Sequence, residues 1–136
     1  MEQLKTLATL AEQRKRRDLA TLATLQMQLE AIEAKIRALR ENVSAEASKI
    51  ASASLPAQQI YAKYLTNAQR QMANAVKEQQ NLTRQIADAR QIALRSFGRT
   101  RAVEILTTAA RRDLMARSAR KEESILIPQK STPPSH

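Results

Sequence analysis

Residues 22–50 read LATLQMQLEAIEAKIRALRENVSAEASKI, and the spacing of the large apolar residues here decides the fold. Leu22, Leu25, Leu29, Ile32, Ile36, Leu39 and Val43 follow one another at alternating steps of three and four. Ile50 closes the series seven residues further on, with Glu46 at the skipped position. Such a seam belongs to a helix that lies along another helix, because its period keeps the apolar stripe facing the partner. Between the seam residues stand good helix formers such as Gln28, Glu30, Ala31, Lys35, Ala38 and Arg40, with no Gly or Pro among them.

Toward the C-terminus the pattern stops at Ser52-Ala53-Ser54-Leu55-Pro56. Proline is tolerated in a first helical turn but not in a helix interior, and Ser52 or Ser54 can cap. This places a turn at about residues 52–56, between a first helix over about residues 2–52 and a second over about 56–123. The second helix has its own seam: Tyr61, Leu65, Ala68, Met72, Ala75, Gln79, Leu82, Ile86, Ala89, Ala93 and Ser96. Its many Ala and Ser positions face a first helix of Leu, Ile and Val, and large against small lets two helices approach closely. So short a turn makes them antiparallel. Folding about residue 54 would set position i opposite 108 minus i.

Toward the N-terminus the stripe drifts. Leu4, Leu7 and Leu10 are each three apart, and the seam extended backward puts Asp18 and Lys15 at core positions. Nothing from Gln13 to Asp18 is apolar, so apolar helix pairing is expected to loosen there or be replaced. Lone Gly98 marks either a kink, a close approach or an open surface position. The segment 124–136, Pro- and Ser-rich after Ile125, Leu126 and Ile127, is expected to be a disordered tail. The fold class is therefore all-α: one antiparallel two-helix coiled-coil hairpin, residues 1–123, with a disordered C-terminal tail.

Composition narrows the function classes. The 136 residues make one domain at most, and two Tyr and one Phe with no Trp argue against a large globular core. With no Cys, and His136 as the single histidine, no thiolate or imidazole site is expected. There is no Gly-rich phosphate loop and no spaced carboxylate pair, so no catalytic, cofactor-binding or metal-binding residue is assigned and an enzyme is not expected. No apolar run approaches a membrane span, and residues 1–5 lack the apolar core of a signal peptide.

The net charge of +10 asks for an acidic partner. Folding the hairpin would gather the basic residues at its open end: Arg14, Lys15, Arg16 and Arg17 from one helix, Arg95, Arg99, Arg101, Arg111, Arg112 and others from the second. The first of these clusters stands open between a protein contact and a solvated face. Lys63, Arg70, Lys77 and Arg84 recur every seven residues opposite the seam and read first as a solvated outer face, with a docking stripe as the alternative. Tyr61 continues the seam, whereas Tyr64 beside it is the better candidate for a contact. Leu7, Leu10, Leu19, Ile92 and Leu94 lie off the seam and imply a further helix or a partner groove.

A hairpin of this size, with the Leu-rich opening Met1-Glu2-Gln3-Leu4-Lys5-Thr6-Leu7 and the basic run at Arg14, Lys15, Arg16 and Arg17, resembles the flagellar export protein FliJ and its type III secretion counterparts. The resemblance covers residues 1–123 and rests on layout rather than on a short motif. It implies a cytoplasmic, non-enzymatic stalk or export chaperone, peripheral to the inner face of the membrane through its complex. A hexameric export ATPase would meet Arg14, Lys15, Arg16, Arg17, Arg111 and Arg112; an export gate component would meet Val43, Ile50, Tyr61, Tyr64, Leu65 and Met72; export chaperones are further partners. A monomer is expected. The alternatives are a basic coiled-coil protein that binds nucleic acid, against which no aromatic is interleaved for base stacking, and a generic structural coiled coil.

Overall fold

The structure, a computed structural model, describes the backbone of residues 2–131 and the side chains of residues 2–124. Two α-helices pack against each other as a helical hairpin: α1 (Glu2–Ile50, 49 residues) and α2 (Leu55–Ser131, 77 residues), with no strand among the described residues. Glu2 in the first turn of α1 and Lys49 in its last turn complement the helix dipole.

The turn is residues 51–54, within two residues of its expected place. The Ala53 N–H donates to the Ile50 carbonyl at 3.1 Å, and the Gln58 N–H donates to the Ser54 carbonyl at 3.0 Å. Ser54 is thus the N-cap residue of α2, and Pro56 falls at its second helical position, where a missing N–H costs no helical hydrogen bond. The Gln58 side-chain amide donates to the Ala53 carbonyl at 3.4 Å and ties the turn to the helix that follows.

At its other end α2 runs to Ser131, eight residues beyond the end expected near residue 123. Lys121, Glu122 and Glu123 are good helix formers and no Gly follows them. Of the expected tail, residues 132–136 and the side chains of Ile125, Leu126 and Ile127 lie outside the described residues.

Two compact units are present, Arg17–Ala93 and Met1–Arg16 with Leu94–His136. The first contains the turn. Its core is Ile36 from α1 against Ala68, Ala75, Leu82, Ile86, Ala89 and Ala93 from α2, all buried. Leu22, Leu25, Leu29, Ile32, Leu39, Val43, Glu46 and Ile50 are half-buried, as are Tyr61, Leu65, Met72 and Gln79. The seams are those read from the heptad spacing, and the small residues of α2 sink deepest because they let the α1 backbone approach. Two helices alone cannot cover a Leu on every side, which is why the larger seam residues stay partly open.

In the terminal unit the seam does not drift, and at Lys15 apolar pairing is replaced by another contact. Leu4, Ala8, Ala11 and Lys15 continue the three–four spacing as half-buried positions of α1, and Asp18, of the other unit, is half-buried on the same spacing. Leu7 and Leu10 are exposed, at 49% and 56%. Small and amphipathic residues replace Leu here. Alanine packs without bulk, and a lysine lays its methylenes along the seam with the ammonium at the edge. From α2 come Ser96, only 1% exposed, then Thr100, Val103, Thr107 and Ala110.

The register in this unit also differs from the expected one. Folding about residue 54 would set Ala11 opposite Phe97, yet the Thr100 hydroxyl lies 3.5 Å from the Ala11 carbonyl while donating to Ser96 at 3.0 Å. The offset of three residues is nearly one helical turn. Around the turn Leu55 and Ile60 are exposed, at 67% and 69%, and the α2 seam begins at half-buried Tyr61. From Arg111 to Ser124 every residue of α2 is exposed.

Candidate docking surfaces

The terminal unit carries most of the charge. Its sequence has thirteen Lys/Arg against six Asp/Glu, a net of +7, whereas Arg17–Ala93 has ten against seven, a net of +3. Within it Glu12 gathers two cations: Lys15 Nζ lies 3.0 Å from Oε2 and Arg16 Nε 3.4 Å from Oε1. The hydrogen bond from Lys15 holds the Glu12 carboxyl below its ordinary range; partial desolvation opposes this, and the charges of Lys15 and Arg16 with the Arg16 hydrogen bond add to it. Lys15 Nζ also stands 5.5 Å from the centroid of the Phe97 ring. This arrangement answers how a lysine occupies a seam position: its stem packs, and its charge meets a carboxylate and a ring face.

Of the residues expected to meet an ATPase, Arg14, Lys15, Arg16, Arg111 and Arg112 belong to this unit. Arg14 and Arg16 are exposed and Lys15 is half-buried. Arg111 and Arg112 are exposed on the unpartnered part of α2, where Arg117 pairs with Asp113 at 3.0 Å. Arg17 belongs to the other unit and pairs with Asp18 at 3.8 Å.

Two grooves flank the seam of the terminal unit and differ in chemistry. One, about 300 Å³, is lined by Ala8, Glu12, Thr100, Glu104, Thr107 and Arg111, with neighbours. Its acids are engaged, Glu12 as above and Glu104 with Arg101 at 3.4 Å. The other, about 330 Å³, has Leu7, Leu10, Ala11 and Val103 in its walls, Arg14 and Arg99 beside them, and no acid.

In the unit around the turn, the residues expected to face an export gate are only partly brought together. Val43, Leu65 and Met72 line one apolar groove of about 490 Å³ with Ala47, Ala68 and Arg40. Ile50, Tyr61 and Tyr64 are half-buried but lie outside its lining. The two tyrosine rings stand 6.2 Å apart at 34°, so both are partly packed and neither is simply core. Lys63, Arg70, Lys77 and Arg84 are all exposed, as a solvated face requires.

The spacing missed Phe97 and Thr100, which are legible only once the register is known, since Phe97 flanks a seam position and meets Lys15 from another helix. The Glu12–Arg16 pair, four residues apart on one helix, is legible from spacing alone. Among the described residues there is no acidic or histidine cluster that could hold a metal, and no helix is long and apolar enough to cross a membrane. No protein-family model, no curated protein and no solved structure matches the chain.

Proposed function

We propose that this chain is a non-enzymatic stalk or adaptor of flagellar or type III protein export. It docks in the acidic-lined ring of a hexameric export ATPase through Arg14, Lys15, Arg16, Arg17, Arg111 and Arg112, all but Arg17 from its terminal unit. The observation that carries this reading is the concentration of charge: +7 on the unit formed by both chain ends, with Arg14, Arg16, Arg111 and Arg112 exposed. Complementary charge steers two proteins into register and raises their association rate. The apolar groove at Val43, Leu65 and Met72 is the contact for an export gate component, with Ile50, Tyr61 and Tyr64 at its margins, and export chaperones are further partners. The protein works as a cytoplasmic monomer, peripheral to the membrane through its complex. Reversal of Arg14, Arg16 and Arg17 to Glu abolishes co-purification with the export ATPase and leaves helicity unchanged. Undiminished co-purification overturns the stalk.

A second reading draws on the exposed stretch of α2, which presents Arg111, Arg112, Arg117, Arg120 and Lys121. Clustered arginines on an open helix suffice for phosphate contacts. Steep loss of retention on DNA between about 50 and 200 mM salt supports it, and indifference to DNA removes it.

A further inference from the structure

The groove walled by Leu7, Leu10, Ala11 and Val103 is built differently from the groove on the other flank of the seam. Leu7 and Leu10 stand 49% and 56% exposed without serving the seam. Arg14 and Arg99 border the same groove, and neither has a carboxylate partner among the described residues. On the opposite flank each acid already holds a cation, Glu12 with Lys15 and Arg16, Glu104 with Arg101. The acids are thus sorted: one flank holds Glu12 and Glu104, each engaged with cations, and the other has no acid and presents apolar side chains beside two guanidinium groups without a carboxylate partner among the described residues.

We propose that this groove is a docking site for a single acidic amphipathic helix of a partner protein. The walls come from two helices lying side by side, and such a furrow takes a third helix, whose apolar ridge settles between them. Leu7, Leu10 and Arg14 lie at i, i+3 and i+7 on α1, so they form one strip along the furrow. The charge sets the partner's chemistry. A helix with Leu-type residues at the centre and Glu or Asp at its edges covers Leu7 and Leu10 and places carboxylates where Arg14 and Arg99 can bind them bidentately. A second copy of this chain supplies no such helix from the same surface, since an isologous contact would set arginine against arginine. The proposal rests on reading the terminal unit as the docking end, but not on the export system.

The test uses the full-length protein and a fluorescently labelled synthetic peptide of about five helical turns, with Leu on one face and Glu on both flanks. Anisotropy should show saturable binding that Leu10→Asp and, separately, Arg99→Glu each weaken at least about tenfold, while Glu104→Gln leaves it unchanged. Both altered side chains are exposed, so circular dichroism should show the helices intact. Equal binding of a scrambled peptide of the same composition overturns the proposal, because bulk charge then suffices. So does binding indifferent to Arg99→Glu, or a concentration-dependent dimer that Leu10→Asp abolishes, since a second copy then fills the groove. None of these variants alters Arg14, Arg16 or Arg17, the residues reversed in the ATPase experiment, so failure of the groove and failure of the stalk are separately visible.

Discussion

Lys15 of α1 reaches across to Phe97 of α2, its ammonium 5.5 Å from the ring centroid, while its other side meets Glu12 at 3.0 Å. The contact ties the helices together at a position where an apolar seam would carry a leucine. A double-mutant cycle over Lys15→Ala and Phe97→Ala isolates the pair, because the loss of the Glu12 contact cancels between the two arms. With Phe97 46% exposed, the coupling should be about 0.5–1 kcal/mol by urea denaturation. Strict additivity would show that the ring and the ammonium are merely neighbours.

Glu12 gives the unit a pH dependence of definite sign. Its folded-state carboxyl is held low, chiefly by the hydrogen bond from Lys15. Above the ordinary glutamate value the carboxylate is charged in both folded and unfolded chains, and its contribution is fully present. As pH falls from that value through the lowered folded one, the contribution is lost. The stability difference between wild type and Glu12→Gln should therefore be constant near neutrality and shrink through the acidic range. Denaturation midpoints of the two proteins across that range read it directly; parallel curves would contradict the assignment. High salt should shrink the neutral-pH difference as well, since the site is solvent-facing.

The spacing of Leu22 to Ile50 made the hairpin legible, because a three–four alternation has no other stable use than burial along a helix. The α2 seam was equally legible from Tyr61 to Ser96. What spacing could not show was how the chain would treat Lys15 and Asp18. Hydropathy scores both as interruptions, yet a lysine with a ring and a carboxylate in reach holds a seam position, and Ala8 and Ala11 carry the packing beyond it. The register was hidden for a related reason. Heptad spacing fixes which face of each helix is packed but not which residues stand opposite one another, since a slide of about one helical turn keeps both seams in contact. The candidate docking surfaces were half visible: the basic residues were countable, but the sorting of acids to one flank follows only from the packed helices.

Gly98 offers a gain in stability. It lies inside α2 with no positive φ, and a Cβ built on it would meet nothing within 4 Å. Neither a kink nor a close approach requires glycine there; the open-surface reading holds. Gly98→Ala should stabilise the protein by about 0.5–1 kcal/mol, by removing backbone freedom from the unfolded chain and raising helix propensity. The measure is a higher denaturation midpoint at an unchanged slope. A loss of stability would mean that the backbone at residue 98 departs from helical geometry or that a side chain there meets a neighbour.

Ala89 and Ala87 separate the packed face of α2 from its open face with one chemical change. Ala89 is 6% exposed within the seam, and Ala87, two residues earlier, is exposed. Leucine has the better hydrophobic transfer energy at either site and nearly the helix propensity of alanine, so local preference does not distinguish the two substitutions. Packing does. The small residues of α2 let the α1 backbone come close, and three extra carbons at Ala89 must push the helices apart or take a strained rotamer. Ala89→Leu should cost about 1–3 kcal/mol, whereas Ala87→Leu should stay within about 0.5 kcal/mol of wild type. Urea denaturation of both proteins decides the matter. If Ala89→Leu is neutral or stabilising, the seam is loosely held and its small residues are not what sets the helix separation.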